Sequence, residues 1–106
     1  METVPFDISL VEFEERFDSE EYNTSTLYFI APKEWLGDSY PEAVHSEISV
    51  EYPSGFVPEA NAATVMMSPT KVDEDGNGED YDWFDIDLHL SDIEALIRLA
   101  GINIYN

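Results

Sequence analysis

Cysteine is absent, and only four of the 106 residues are lysine or arginine. Without cysteine the chain has no disulfide, no thiolate nucleophile and no thiolate metal ligand, so a reducing cytosol is the natural setting. Glycine is scarce, at five residues, and neither a glycine-rich phosphate loop nor a nucleophile elbow is present. The two histidines, His45 and His89, show no H-x-x-x-H spacing. The longest apolar stretches, such as Leu27–Ala31, fall far short of the roughly 20 residues that a membrane-spanning helix needs. The opening Met1-Glu2-Thr3-Val4-Pro5-Phe6-Asp7 has neither a basic start nor an apolar run, which argues against a secretory signal. A soluble, cytoplasmic protein with no membrane partner is expected.

Acid is what the chain has in excess. Twenty-four Asp and Glu give a formal net charge of −20. Apolar residues still make up 43% and aromatics 13%, enough for an ordinary core, so a single folded domain over residues 1–106 is expected rather than disorder. A compact domain this acidic repels itself. Folding does not require that excess, so a partner with a strongly basic surface is its expected reason. The commonest such surface is one that holds nucleic acid.

Helix signals stand at both ends. Ser9 and Glu12 have the spacing of a capping box, and Ile8 with Phe13 that of a hydrophobic staple. Leu10, Phe13 and Phe17 follow at helical spacing, so a helix is predicted over about residues 9–18. Thr26–Ile30 reads as a strand covered on both faces, ended by Pro32, and Glu34-Trp35-Leu36 as a short helical turn. Glu47–Tyr52 alternates, with Ile48, Val50 and Tyr52 inward. Ala63–Ser68 is a third strand, running past Pro69 at an edge or bulge. Asp73–Asp80 is a turn with its positive-φ corner at Asn77-Gly78. Tyr81–Leu90 comes next as the strongest strand, with Phe84, Ile86, Leu88 and Leu90 inward. Ser91 and Glu94 then cap a helix carrying Ile93, Leu96, Ile97 and Ala100 and ending at Gly101, with Ile102 and Ile104 as a short tail strand. The expected fold class is α+β: an antiparallel, meander-like sheet of about four strands, with an N-terminal and a C-terminal helix packed on one face.

The second face of that sheet would carry Trp83, Asp85 and Asp87, joined by Glu47 and Glu51. Residues two apart on a strand lie about 6.5–7 Å apart on one side, close to the phosphate spacing of a nucleic-acid strand. The stretch from Asp73 to Glu94 holds ten acids and no Lys or Arg. Asp73, Glu74, Asp75, Glu79, Asp80, Asp82, Asp85 and Asp87 are therefore the candidate partner-binding residues, with Trp83 as an aromatic anchor.

Other chemistry is poorly served. Asp73-x-Asp75-x-Asn77-Gly78 matches the first six positions of an EF-hand loop, but Phe84 stands where the bidentate twelfth ligand belongs. Glu42-x-x-His45 is a single match expected by chance in so acidic a chain. Paired carboxylates are inevitable at this composition and do not mark a glycosidase. No catalytic residues, cofactor or metal are expected. High-salt adaptation would also give an acidic, lysine-poor chain, but eight Ile, six Phe and six Tyr fit it badly.

In size, acidity, lack of cysteine and α+β pattern the chain resembles the small phage- or plasmid-encoded DNA mimics, among them anti-restriction and anti-CRISPR proteins. That resemblance lies in composition alone, since the class shares no motif. It implies a non-enzymatic inhibitor that binds no nucleic acid itself and blocks the nucleic-acid site of a basic protein: a Cas effector, a restriction enzyme or a nuclease. The alternative is an immunity protein or antitoxin that neutralises a cognate toxin, such as a nuclease, through a mixed apolar interface.

Overall fold

Strand pairing organises the chain from near its start to Asp87, and an α-helix comes after it. The computed structural model describes residues 2–36, 38–53 and 63–101. Its strands are β1 (Glu2–Thr3), β2 (Glu12–Ser19), β3 (Thr24–Pro32), β4 (Ala43–Pro53), β5 (Thr64–Val72), β6 (Gly78–Asp80) and β7 (Phe84–Asp87), and its helix is α1 (Leu90–Leu99). They form a seven-stranded sheet of order β1-β7-β5-β4-β3-β2, with β6 also paired to β5. Among the described residues every pairing is antiparallel except that of β1 with β7.

The expected pair of helices on a four-strand sheet is therefore incorrect, and the error starts at Ser9. Asp7 is the cap: its Oδ1 accepts from the Ser9 N–H at 3.0 Å and from the Ser9 hydroxyl at 2.7 Å. That cap supports only a 3-10 turn, Ile8–Leu10, and Val11 is already extended. Most of the segment read as a helix over 9–18 instead belongs to β2, which turns back through residues 20–23 to pair with β3. Asn23 sits in the left-handed region at φ 54°, and the Ser19 hydroxyl accepts from the Tyr22 N–H at 3.3 Å. Pairing with β3 overrides the helical propensity of a Glu-rich segment.

The four-residue spacing of Phe13 and Phe17 misled because of a bulge. Phe13 pairs with Phe29 and Glu15 with Tyr28, so Glu14 is the extra residue and the faces switch between them. Phe13 lies on the buried face, its ring 5.6 Å from that of Phe29. Phe17 pairs with Thr26 on the opposite face and is 59% exposed.

The inner face is the core. Cross-strand rows Phe29–Ile48–Met67 and Leu27–Val50–Val65 are buried, and Ile86 of β7 joins them. Ile93, Leu96 and Ile97 of α1 belong to the same cluster, each buried side chain contributing roughly 1.5–3 kcal/mol. After β1 at one edge, the chain reaches β2 at the other through residues 4–11. Val4, Phe6, Ile8 and Val11 pack on the core along the way, and the Phe6 ring lies 5.5 Å from buried Trp35. This segment occupies the place expected for an N-terminal helix.

The acidic hairpin and the strand after it also depart from expectation. Gly76, at φ +84°, makes the corner expected at Asn77-Gly78. The predicted strand Tyr81–Leu90 is broken: Thr70 pairs with Asp80 but Met67 with Phe84, which leaves one extra residue between β6 and β7. The break faces Pro69, which has no N–H to offer on that side. There the Tyr81 N–H donates to the Pro69 carbonyl at 2.9 Å, and the Ser68 hydroxyl donates to the Tyr81 carbonyl at 2.6 Å. Pro69 thus lies inside β5, opposite a neighbour's irregularity, rather than at an edge. Leu90, expected in the core, begins α1 and is exposed. His89 takes the cap position expected for Ser91, and Gly101, at φ +81°, lies just past the helix. The tail strand expected at Ile102 and Ile104 lies outside the described residues.

The two phenylalanines of β2 should differ in what they contribute. Phe13→Ala should cost about 1–2 kcal/mol and Phe17→Ala no more than about 0.5, because only Phe13 loses core contact. Urea unfolding measures both, and equal losses would restore the helical reading.

Acid should act on the same strand. Asp18, opposite Ser25, accepts from its hydroxyl at 2.6 Å and from Arg16 Nε at 3.1 Å. The Ser25 hydroxyl, and then Arg16, hold the Asp18 carboxyl below its ordinary value, as the Ser9 bonds do for Asp7. A depressed folded pKa adds stability above the unfolded value and loses it as pH falls through the folded one. Stability should therefore drop below about pH 4, and Ser25→Ala should make that drop smaller. Identical pH profiles for the two proteins would contradict this account.

Candidate acidic interface on the outer sheet face

Because side chains alternate along each strand, the buried rows fix which residues face the other way. One outward row runs Glu15–Tyr28–Ser49–Met66–Asp85 across β2, β3, β4, β5 and β7. A second runs Glu12–Ile30–Glu47–Ser68, and a third Phe17–Thr26–Glu51–Thr64. Asp87 comes after Asp85 on the same side of β7 and is exposed. The outer face thus gathers Glu12, Glu15, Glu47, Glu51, Asp85 and Asp87 around the less polar Phe17, Tyr28, Ile30 and Met66.

Trp83 joins this group. Its ring lies 6.3 Å from that of Tyr28, tilted by 59°, so the two aromatics meet above the strands that separate them. Ser49, the small residue between Tyr28 and Met66 in the row, is buried. The surrounding charge registers on Tyr28. Burial is the main cause that pushes its hydroxyl above the ordinary value, and the carboxylates of Glu15, Glu51 and Glu47 push it the same way.

Among the described residues, no Lys or Arg holds an outward position in these rows. Arg16 and Lys71 fall on the inner parity of β2 and β5, where they meet Asp18 at 3.1 Å and Glu79 at 3.7 Å. Arg98 pairs with Glu94 on α1 at 3.8 Å, and Lys33 lies in the 3-10 turn after β3. The positive charge is thus placed away from the acidic face.

The structure divides the candidate residues read from the sequence. Trp83, Asp85 and Asp87 lie together on the outer face. Asp82 is exposed in the break between β6 and β7, and Asp80 pairs with Thr70 in β6, so the four aspartates do not form one evenly spaced row. Glu79 is engaged by Lys71. Asp73, Glu74 and Asp75 stand apart in the hairpin turn. There Asp73 Oδ1 accepts from the N–H groups of Asp75 at 2.9 Å and Asn77 at 2.8 Å, closing a turn between two strands. No group of three or more His, Asp or Glu that would hold a metal ion occurs among the described residues.

Glu12, Glu15, Phe17 and Tyr28 belong to the face but were missed by sequence reasoning: the misread helix removed the three β2 residues from the sheet, and Tyr28 lies on a strand expected to be covered on both faces. A signal was present in Tyr22-Asn23-Thr24, where an Asn suited to left-handed backbone precedes a β-rich run. Among the described residues no helix is long and apolar enough to cross a membrane. No protein-family model matches the chain, and no curated protein or solved structure matches it.

Proposed function

We propose that this protein is a non-enzymatic inhibitor whose outer sheet face occupies the nucleic-acid-binding site of a basic protein, of the kind found in Cas effectors, restriction enzymes and nucleases. The observation that supports it is a face carrying carboxylates from β2, β4 and β7, with the cations placed elsewhere, on a chain of net charge −20. A groove that gains affinity by neutralising phosphates is complementary to such a face, and its field speeds the approach of an acidic ligand as it does that of DNA. Folding has already ordered the backbone that carries the carboxylates, so the ordering cost on binding is smaller than for a flexible acidic tail. The exposed aromatics favour a second reading, an immunity-type protein that binds beside a toxin's active site through a mixed interface.

The test is displacement of labelled DNA from purified restriction enzymes, Cas effectors and nucleases. Wild-type protein should release DNA from its target, more weakly as salt rises, and should bind no DNA itself. Asp85→Lys with Asp87→Lys changes the net charge by +4 on exposed positions and should abolish displacement while leaving thermal unfolding unchanged or improved. Ile86→Asp, which buries an unpaired charge, is the unfolding control. A ternary complex holding both DNA and this protein would refute the mimic and favour the immunity-type reading.

A further inference from the structure

We infer that the Tyr28–Trp83 pair is a docking point for arginine side chains, so that the outer face selects arginine-rich over lysine-rich segments of a basic partner. This rests on the proposed function, since it takes the face to meet a cationic protein. It goes further by naming the side chain that is read.

Lysine and arginine differ in what they require of a binding surface. A lysine ammonium is a compact, strongly hydrated point charge, which any cluster of carboxylates serves. An arginine guanidinium is planar and less hydrated, stacks on aromatic faces and donates through a rigid fork. A face selective for arginine therefore needs a ring at its centre and carboxylates within reach of the ring's edge. A row of phosphate-like charges alone needs no ring.

The outer face has that arrangement. Tyr28 and Trp83 meet at 6.3 Å with their planes tilted by 59°, which leaves no room for a sandwich but allows a guanidinium to lie against one ring beside the other. Glu15 and Asp85 end the same cross-strand row as Tyr28, while Glu47 and Glu51 stand one position to either side of Ser49 along the face. Carboxylates thus surround the rings on several sides. The charge of Glu15, Glu51 and Glu47 already acts on the Tyr28 hydroxyl. Charge complementarity makes the occupant a cation, and the exposed ring of Trp83 makes it arginine.

The experiment compares nona-arginine with nona-lysine, titrated into the full chain at fixed salt and followed by NMR, with the Trp83 indole N–H as reporter. Wild type should bind the arginine peptide more tightly and shift that resonance. In Tyr28→Leu with Trp83→Leu, the arginine-to-lysine affinity ratio should fall by about three- to fivefold, while lysine-peptide affinity stays within about twofold. Tyr28→Phe keeps the ring and should keep the ratio, which separates ring stacking from loss of fold. Amide spectra check that each variant is folded. An unchanged ratio in the double variant, or an unmoved indole resonance, overturns the arginine site and leaves the acidic inhibitor standing. Failure of both peptides to bind overturns both.

Discussion

The cross-strand row Phe29–Ile48–Met67 holds β3, β4 and β5 in register, and the rest of the molecule depends on it. All three side chains are fully buried, and the adjacent row Leu27–Val50–Val65 continues the same apolar surface. Slipping any one strand by a single residue would move its whole set to the opposite face, so burial on one side fixes every outward position on the other. The acidic face is therefore a consequence of the core. The outward positions of Glu15, Glu47, Glu51 and Asp85 follow from the register that Leu27, Val50 and Met67 hold.

Burial on one side also explains where the charge goes. Apolar elements, namely residues 4–11, Trp35 and α1, pack on the inner face, which has room for Arg16 and Lys71 only toward its margins. There those cations meet Asp18 and Glu79, while among the described residues no Lys or Arg takes an outward position in the outer rows. Such an arrangement costs stability through repulsion, weakest at high salt where the Debye length is short. Hydrogen bonds compensate locally at two carboxylates, Asp7 and Asp18, whose affinity for protons is lowered by serine donors. At those two positions the hydrogen bonds outweigh the opposing effect of desolvation.

Legibility in the sequence depended on whether strand pairing runs without an inserted residue, not on the strength of local patterning alone. Glu47–Tyr52 alternates without interruption, and its inward Ile48, Val50 and Tyr52 are buried as the pattern implied. The stripe Ile93, Leu96, Ile97 likewise gave α1 its buried face. The sequence misled where one residue was inserted into the pairing. At Glu14 a bulge put Phe13 and Phe17, which would share a face of a helix, on opposite faces of β2, and at residues 81–83 another irregularity split what read as one continuous strand. Neither is set by its own residues alone. The first depends on the register that Phe29 and Tyr28 impose, the second on the missing N–H of Pro69 in the adjacent strand. Candidate residues on β7 were therefore legible, whereas those on β2 became visible only once their partner strand was known.

A sheet face differs from a flexible acidic tail in what it can discriminate. A tail presents charge at variable spacing and offers little beyond net attraction, which salt screens within about 8 Å at physiological ionic strength. Here backbone register sets the positions from which the carboxylates project, and two rings meet among them. In the proposed function, long-range attraction from the net charge would govern how fast a basic partner arrives and how strongly salt opposes it. Contact between a partner side chain and the Tyr28–Trp83 surface, as proposed, would exclude water locally and be far less sensitive to salt. The two contributions come from different residues on one rigid face, so changes at Asp85 and Asp87 act chiefly on the first and changes at Trp83 on the second. In the proposed function, affinity for basic proteins in general and preference among them would thus be separable.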